Sequence, residues 1–439
     1  MGWNPGRLQG VHYSYGKHVI SSEMPLSGVS RWYLSAALVH LAVAGALILA
    51  DRETAVLTVR WDALVWLLLV GFVGCTTAGL SLHLFPTMAR RLVPRRPASE
   101  FAFLTAEASV IVGTSGFYLA DSPSGLPGAA TVAGLLLLAS AGLILSRFVS
   151  AALHPQMVGP GDVVTVPLFL IAWGSAAAAG ALFAVSGWMA GPGLGWWLAA
   201  VHLFVLGHAT LLVAAVVLRM VPRSVGADAP KAAAVSLAIL ATLGAGLVPV
   251  GMLLTPGGDS LDLTLWATPE VGFAGGLTAL LVYLGIHART LRRPWWLHLS
   301  SALCLLFGGG VGLWMVTRSN FALVVTHALV NILGFVGLMI LVMWFGMIAP
   351  FQRISHAWTR RMLWILSASW LIGVAALAAA GAAVPGVPDL ASTIGGGLLL
   401  GVAIAWGVGT IPVLFPKVHP LPGLTSEEIR ALRERWSHR

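Results

Sequence analysis

The 439-residue sequence is 58% hydrophobic and only 9% charged, and its mean hydropathy is +0.88. A soluble core of this length would need a much larger charged surface, so these values exclude an ordinary soluble protein and predict a polytopic membrane protein. The formal net charge of +9 calls for no nucleic-acid partner, because basic residues that set membrane topology and contact anionic headgroups account for it.

Apolar runs of about 20 residues recur along the chain, and this is the length at which an α-helix crosses the hydrocarbon core of a bilayer. The alternating pattern of membrane β-barrel strands is missing. The sequence therefore predicts an all-α polytopic bundle of about twelve transmembrane helices within residues 30–416. The predicted spans lie near 30–50, 62–86, 100–120, 129–150, 163–187, 195–221, 231–255, 270–288, 296–317, 321–347, 362–384 and 391–416.

Basic residues are distributed unevenly between the two sets of connections. Clusters such as "ARRLVPRRP" and "QRISHAWTRR" follow even-numbered spans, whereas the opposite connections hold only Arg52, Arg60 and Arg318. Cytoplasmic connections carry the excess of Lys and Arg. We therefore expect the even-numbered spans to end on the cytoplasmic side. The expected location is the inner or plasma membrane.

An even number of spans puts both chain termini on the same, cytoplasmic side. Residues 1–29 form the expected N-terminal segment and lack the apolar core of a signal peptide. Residues 417–439 form the expected C-terminal segment, in which Thr425 and Glu428 have the capping-box spacing of a short helix.

Ionisable side chains inside the spans are the candidates for function, because they are costly in hydrocarbon. They are His40, His202, His208, His327 and Glu107. At a rise of about 1.5 Å per residue, His202 and His327 both lie roughly 10 Å from the outer ends of the sixth and tenth spans. Neutral imidazole is the commonest metal ligand, so two imidazoles at one depth predict a shared metal ion or haem. The alternative is that each histidine forms a hydrogen bond with a neighbouring helix.

Three further residues receive supporting roles. His208 follows His202 by six residues, about 240° around a helix, so we expect it in a surrounding shell or at a separate metal site. Asn331 is expected to orient the ligands. Glu107 lies about 10 Å from the cytoplasmic end of its helix, where it is a candidate proton relay or a hydrogen-bond partner of a neighbouring Ser or Thr.

The two cysteines, Cys75 and Cys304, each lie within an apolar span. We expect them to be small packing residues rather than a disulfide, and the chain contains no CxxC motif that would indicate zinc or redox chemistry. No role is assigned to His40.

Spans two, six and ten share a pattern. Their expected cytoplasmic ends read "LHLFPTMARRLVPR", "VVLRMVPR" and "WFGMIAPFQR". In the sixth span His202 is followed by Gly207 and Pro222. In the tenth span His327 is followed by Gly334, both within "HALVNILGF", and by Pro350. This pattern resembles the catalytic subunit of haem-copper oxidases, especially C-type oxidases and nitric oxide reductases, and also NnrS-like membrane proteins. The resemblance implies a twelve-helix bundle in which helices two, six and ten are related by pseudo-threefold symmetry.

The ligand set that the resemblance implies is incomplete. His327 matches the first histidine of the tenth-helix HxH motif, which binds the high-spin haem, but Leu329 replaces the second. His202 matches a sixth-helix position at which copper ligands occur. The seventh span has no histidine, and Trp66 and Gly71 stand where the low-spin haem ligand belongs. A complete oxygen reductase is therefore not expected.

The leading hypothesis is a membrane protein of respiratory or nitrogen-oxide metabolism that binds haem b, copper or both. His202 and His327 would be the ligands, with His208 and Asn331 around them, and a quinone or other respiratory-complex subunits would be the partners. Two alternatives stay open: a metal-free structural subunit of a membrane respiratory complex, and a twelve-helix transporter.

Overall fold

The structure is a computed structural model that describes residues 14–15, 18–19, 28–50, 61–88, 96–119, 128–153, 162–188, 193–225, 230–254, 260–286, 295–318, 320, 322–345, 356–382 and 388–414. The predicted C-terminal segment, with its short helix, lies outside the described residues. In the N-terminal segment, Ser14–Tyr15 (β1) and His18–Val19 (β2) form a short antiparallel pair.

Twelve helices of the described chain are long and apolar enough to cross a membrane. Their spanning parts are α1 Gly28–Ala50, α2 Trp61–Phe85, α3 Pro97–Tyr118, α4 Ala129–Leu153, α5 Val164–Trp188, α6 Gly195–Arg219, α7 Lys231–Leu254, α8 Thr264–Ile286, α9 Trp296–Arg318, α10 Val324–Met343, α11 Arg360–Gly381 and α12 Leu390–Ile411. Their number and approximate bounds agree with the apolar pattern. The predicted all-α polytopic bundle is confirmed.

Three of these helices form the centre of the bundle. In α2, α6 and α10, 94%, 83% and 83% of the most apolar stretch is buried, against 50% or less in every other span. Each contains a π-helical segment of eight residues, and the three segments contact one another. The segments are Leu67–Gly74, Leu203–Thr210 and Val330–Gly337. The second, sixth and tenth helices therefore occupy equivalent central places, as the predicted three-way arrangement requires.

The other nine helices surround this centre in three arcs. Consecutive helices are in contact along α3–α4–α5, along α7–α8–α9, and along α11–α12–α1, where α12 packs against α1. The arcs expose large apolar side chains, including Ile111, Leu153 and Ile286. Side chains of this kind are suited to lipid acyl chains, so the outer surface of the protein contacts the bilayer.

Glycines bring each central helix close to one outer helix. The fifth residue of every π segment is a glycine that lies against the helix preceding that central helix. The pairs are Gly71 with His40 of α1, Gly207 with Ser175 of α5, and Gly334 with Cys304 of α9. Small residues allow this close approach, on which helix association in membranes depends. The repetition divides the bundle into three four-helix units, α1–α4, α5–α8 and α9–α12.

Side chains from the arcs bind backbone carbonyl groups of the π segments. Trp370 Nε1 donates to the Leu333 carbonyl oxygen at 2.9 Å, and Ser301 Oγ donates to that of Phe335 at 2.7 Å. A π-helical turn disturbs the regular backbone hydrogen bonds, and neighbouring polar side chains satisfy the carbonyl groups that it frees. These bonds fix α9 and α11 against the centre.

Candidate metal centre

The structure brings the imidazoles of His202 and His327 together. His202 is the residue immediately before the π segment of α6, and His327 precedes that of α10 by three residues. Their ring centres are 6.1 Å apart and their ring planes differ by 23°. Both side chains are partly buried.

Hydrogen bonds to the backbone fix the protonation pattern of both rings. His202 Nδ1 lies 2.8 Å from the Leu198 carbonyl oxygen, and His327 Nδ1 lies 2.8 Å from that of Gly308. A carbonyl oxygen can only accept, so each Nδ1 carries the hydrogen and each neutral ring keeps its lone pair on Nε2. Neither Nε2 has a hydrogen-bond partner among the described residues. This is the tautomer that a histidine uses when it binds a metal through Nε2.

The place of His327 depends on a small-residue face of α9. A Cβ atom at Gly312 would lie 2.7 Å from His327 Cε1, and one at Gly308 would lie 2.5 Å from Asn331 Oδ1. Asn331 Nδ2 donates to the His327 carbonyl oxygen at 2.9 Å and lies 3.3 Å from His327 Nδ1. Asn331 thus lies in contact with the ring, as the expected supporting role requires. The two glycines were not anticipated as part of the site, although the run "GGGVG" is visible in the sequence.

The separation of the two rings fits a metal ion between them. Nitrogen ligands bind at about 2.0–2.1 Å, so an ion held by two imidazole nitrogens places the ring centres roughly 6 Å apart. The observed 6.1 Å agrees with this distance. Imidazole suits copper and iron, and two of them are sufficient for a copper ion or for both axial positions of a haem. The chemistry of these two imidazoles therefore suits either group.

His208 is placed away from this pair. Its Nε2 lies 2.9 Å from Thr77 Oγ1 and its Nδ1 lies 3.2 Å from the Ala172 carbonyl oxygen, so both ring nitrogens have protein partners. The side chain is fully buried and packs edge-on against Trp173. His208 connects α6 with α2 and α5, and we leave it out of the proposed ligand set.

Glu107 has partners that the sequence did not indicate. Its Oε2 lies 3.3 Å from His40 Nε2, and its Oε1 accepts a hydrogen bond from Cys75 Sγ at 3.3 Å. Of the two alternatives for Glu107, a proton relay or a Ser or Thr hydrogen-bond partner, the second named the wrong partners, because an imidazole and a thiol contact the carboxylate. These residues come from α1, α2 and α3 and share no motif, so only the folded chain reveals that they meet.

Trp66, which the resemblance aligns with a haem-ligand position, lies among other aromatic side chains. Trp66 is 1% exposed and its Nε1 donates to the Ser109 carbonyl oxygen at 3.1 Å. Phe117, Phe183 and Trp197 pack around it.

No model of a known protein family matches this chain, and a search of curated proteins finds no match either.

Proposed function

We propose that this protein binds a redox metal between His202 and His327, as a copper ion or as the iron of a b-type haem, and serves respiratory or nitrogen-oxide metabolism. The observation that supports the proposal is the pair of imidazoles whose ring centres are 6.1 Å apart. Each has Nδ1 bonded to a backbone carbonyl group and Nε2 without a partner in the part of the chain that the structure describes. When bound, such a metal supplies one-electron transfer.

The residues of this chain would hold the metal in a fixed geometry. The carbonyl groups of Leu198 and Gly308 orient the two rings, and their hydrogen bonds increase the basicity of the opposite nitrogens. Asn331 fixes the backbone at His327. The π segments of α6 and α10 also contact each other and that of α2, which limits movement of the helices that carry the ligands.

The proposed activity is narrower than that of a complete oxygen reductase. Oxygen reduction in the family that the chain resembles uses two haems and a copper ion with three imidazoles. The seventh span contains no histidine, and Leu329 stands in place of a further ligand. We therefore propose electron transfer or binding of a small ligand such as nitric oxide, with a quinone or another respiratory-complex subunit as the electron partner.

The proposed location is the inner or plasma membrane, with both termini in the cytoplasm. The charge asymmetry of the connections supports this orientation. Reporter domains that are active only in the cytoplasm, fused separately to the N- and C-terminus, should both be active. An inactive reporter in a stably inserted protein would contradict the orientation.

The metal proposal is tested on the purified full-length protein in detergent, by absorption spectroscopy and metal analysis. A Soret band that shifts on reduction identifies haem, whereas about one equivalent of copper without that band identifies copper. His202→Ala and His327→Ala should each abolish the signal while the protein still inserts and remains monodisperse. His83→Ala is the control and should retain the signal, because His83 lies near the C-terminal end of α2, whereas His202 and His327 lie near the N-terminal ends of α6 and α10.

If the wild-type protein carries neither group after expression with haem precursor and copper, the proposal is wrong. The metal-free subunit and the transporter then become the readings to pursue. Loss of the signal in the control variant as well would show that the assay reports folding rather than ligation.

A further inference from the structure

A second group of metal-binding side chains lies within the first four-helix unit. One ligand atom each from His40, Cys75 and Glu107 lies within 4.8 Å of the other two. His40 Nε2 and Glu107 Oε2 are 3.3 Å apart, and Cys75 Sγ and Glu107 Oε1 are 3.3 Å apart. The residues lie near the middle of α1, α2 and α3, which places the group deep in the bilayer.

We propose that His40, Cys75 and Glu107 bind a zinc ion. Zinc binds nitrogen and oxygen ligands at about 2.0–2.2 Å and sulfur at about 2.3 Å, so neighbouring ligand atoms of a tetrahedral site lie roughly 3.3–3.7 Å apart. The two measured separations, one to each carboxylate oxygen of Glu107, are at the lower end of that range, and one ligand atom from each residue lies within 4.8 Å of the other two. Three protein ligands leave the fourth position for water or another small ligand.

Charge balance supports a divalent ion at this depth. A thiolate and a carboxylate carry two negative charges, and a neutral imidazole adds none, so the loaded site has no net charge. An uncompensated charge inside a bilayer is costly, and a buried ion pair is stable only when its groups are fully paired. His40 presents Nε2 to Glu107, the nitrogen that would bind the ion, while its Nδ1 is turned toward Gly71 of α2.

The surrounding structure is adapted to this group in one unit only. A Cβ atom at Gly71 would lie 2.9 Å from His40 Cγ, so the π segment of α2 provides room for the imidazole. The corresponding glycines of the other units face Ser175 and Cys304 instead. The His40 and Glu107 side chains keep 10% and 21% of their surface exposed, so the group is mostly enclosed by the helices that carry it.

This site is independent of the proposed pair at His202 and His327, since the two share no residue. Zinc binding to Cys75 displaces the thiol proton to water, and no electron transfer is involved. The bound ion would connect three helices of one unit and keep one coordination position for water or another small ligand.

The test is a titration of the metal-stripped full-length protein with cobalt(II), followed by competition with zinc. A cobalt–thiolate site gives a charge-transfer band in the near ultraviolet, which zinc should then remove. We expect the band to saturate at about one equivalent of cobalt per chain in the His202→Ala/His327→Ala protein, which lacks the other proposed metal site. In the wild-type background the band should be lost in Cys75→Ser, and the affinity should fall about 100-fold or more in His40→Gln and Glu107→Gln. Cys304→Ser, which changes the other cysteine, should retain the band.

Absence of the band in the wild-type protein, its persistence in Cys75→Ser, or its loss in Cys304→Ser would overturn the proposal. Because the wild-type titration needs no variant, the proposal stays falsifiable even if Cys75→Ser fails to fold. A His202→Ala/His327→Ala protein should keep the cobalt signal, so failure of the first metal centre and failure of this one are distinguishable.

Discussion

Replacement of Gly312 by alanine tests whether the exact place of the His327 ring matters for the proposed metal centre. The new Cβ atom would lie 2.7 Å from His327 Cε1 and 2.9 Å from Nδ1. An ordinary contact of this kind begins at 3.4 Å, so the ring must move by roughly 0.7 Å or α9 must move by a similar amount.

A displacement of this size is large for a metal ligand, because metal–ligand distances are held within about 0.2 Å. It would also strain the hydrogen bond of 2.8 Å between His327 Nδ1 and the Gly308 carbonyl oxygen. Loss of such support typically lowers metal affinity about 10- to 100-fold. We therefore expect Gly312→Ala to reduce affinity by that factor while the protein still folds and inserts.

The measurement is a competition titration of metal or haem against a chelator or an apo-haem acceptor, using purified protein in detergent. Gly310→Ala is the matched control, because it lies on the same helix and its Cβ atom would have no neighbour within 4 Å. An affinity of Gly312→Ala equal to that of Gly310→Ala would refute the reasoning that the ring position determines binding.

Two further predictions concern the scaffold. His208→Ala should lower the free energy of unfolding by about 2–4 kcal/mol, because it removes a buried ring and its bonds to Thr77 and Ala172. The metal stoichiometry should not change. Thermal unfolding and metal analysis check the two results, and loss of metal from folded protein would return His208 to the ligand set. Gly134→Ala should destabilise the protein by about 1–3 kcal/mol, because its Cβ atom would collide with the Ala184 backbone nitrogen of α5, whereas Gly142→Ala on the same helix has open space and should unfold at the wild-type temperature.

The number of helices and their identity as membrane spans could be predicted from the sequence. In hydrocarbon the backbone must satisfy its own hydrogen bonds, so the length of the apolar runs and the distribution of charge carry most of the information on topology. The equivalence of α2, α6 and α10, though not their central position, was predicted from the shared pattern at their C-terminal ends. Their π segments were not visible, because a π-helical turn depends on tertiary packing and leaves no periodic pattern in a uniformly apolar stretch.

The candidate site was predictable only in part. His202 and His327 could be paired because equal depth on two helices is readable from residue counts. The rotation of a helix about its axis is not readable from residue counts in a span that is apolar on all sides, so the meeting of His40, Cys75 and Glu107 was missed. The same limit explains why His208 was considered as a ligand, although its ring lies between Thr77 and Ala172.

The position immediately before the π segment carries a different residue type in each of the three four-helix units. The residue immediately before the π segment is Trp66 in the first unit, His202 in the second and Leu329 in the third. Trp66 fills its space with an indole that lies 6.0 Å from the ring of Trp197, so the first unit is closed there by packed aromatic rings. The third unit presents its imidazole, His327, two residues earlier than Leu329. Equivalent π segments therefore carry different side chains, and imidazoles near their starts come only from the second and third units. This asymmetry is the physical basis for proposing one shared metal centre between those two units, separate from the His40, Cys75 and Glu107 group of the first unit.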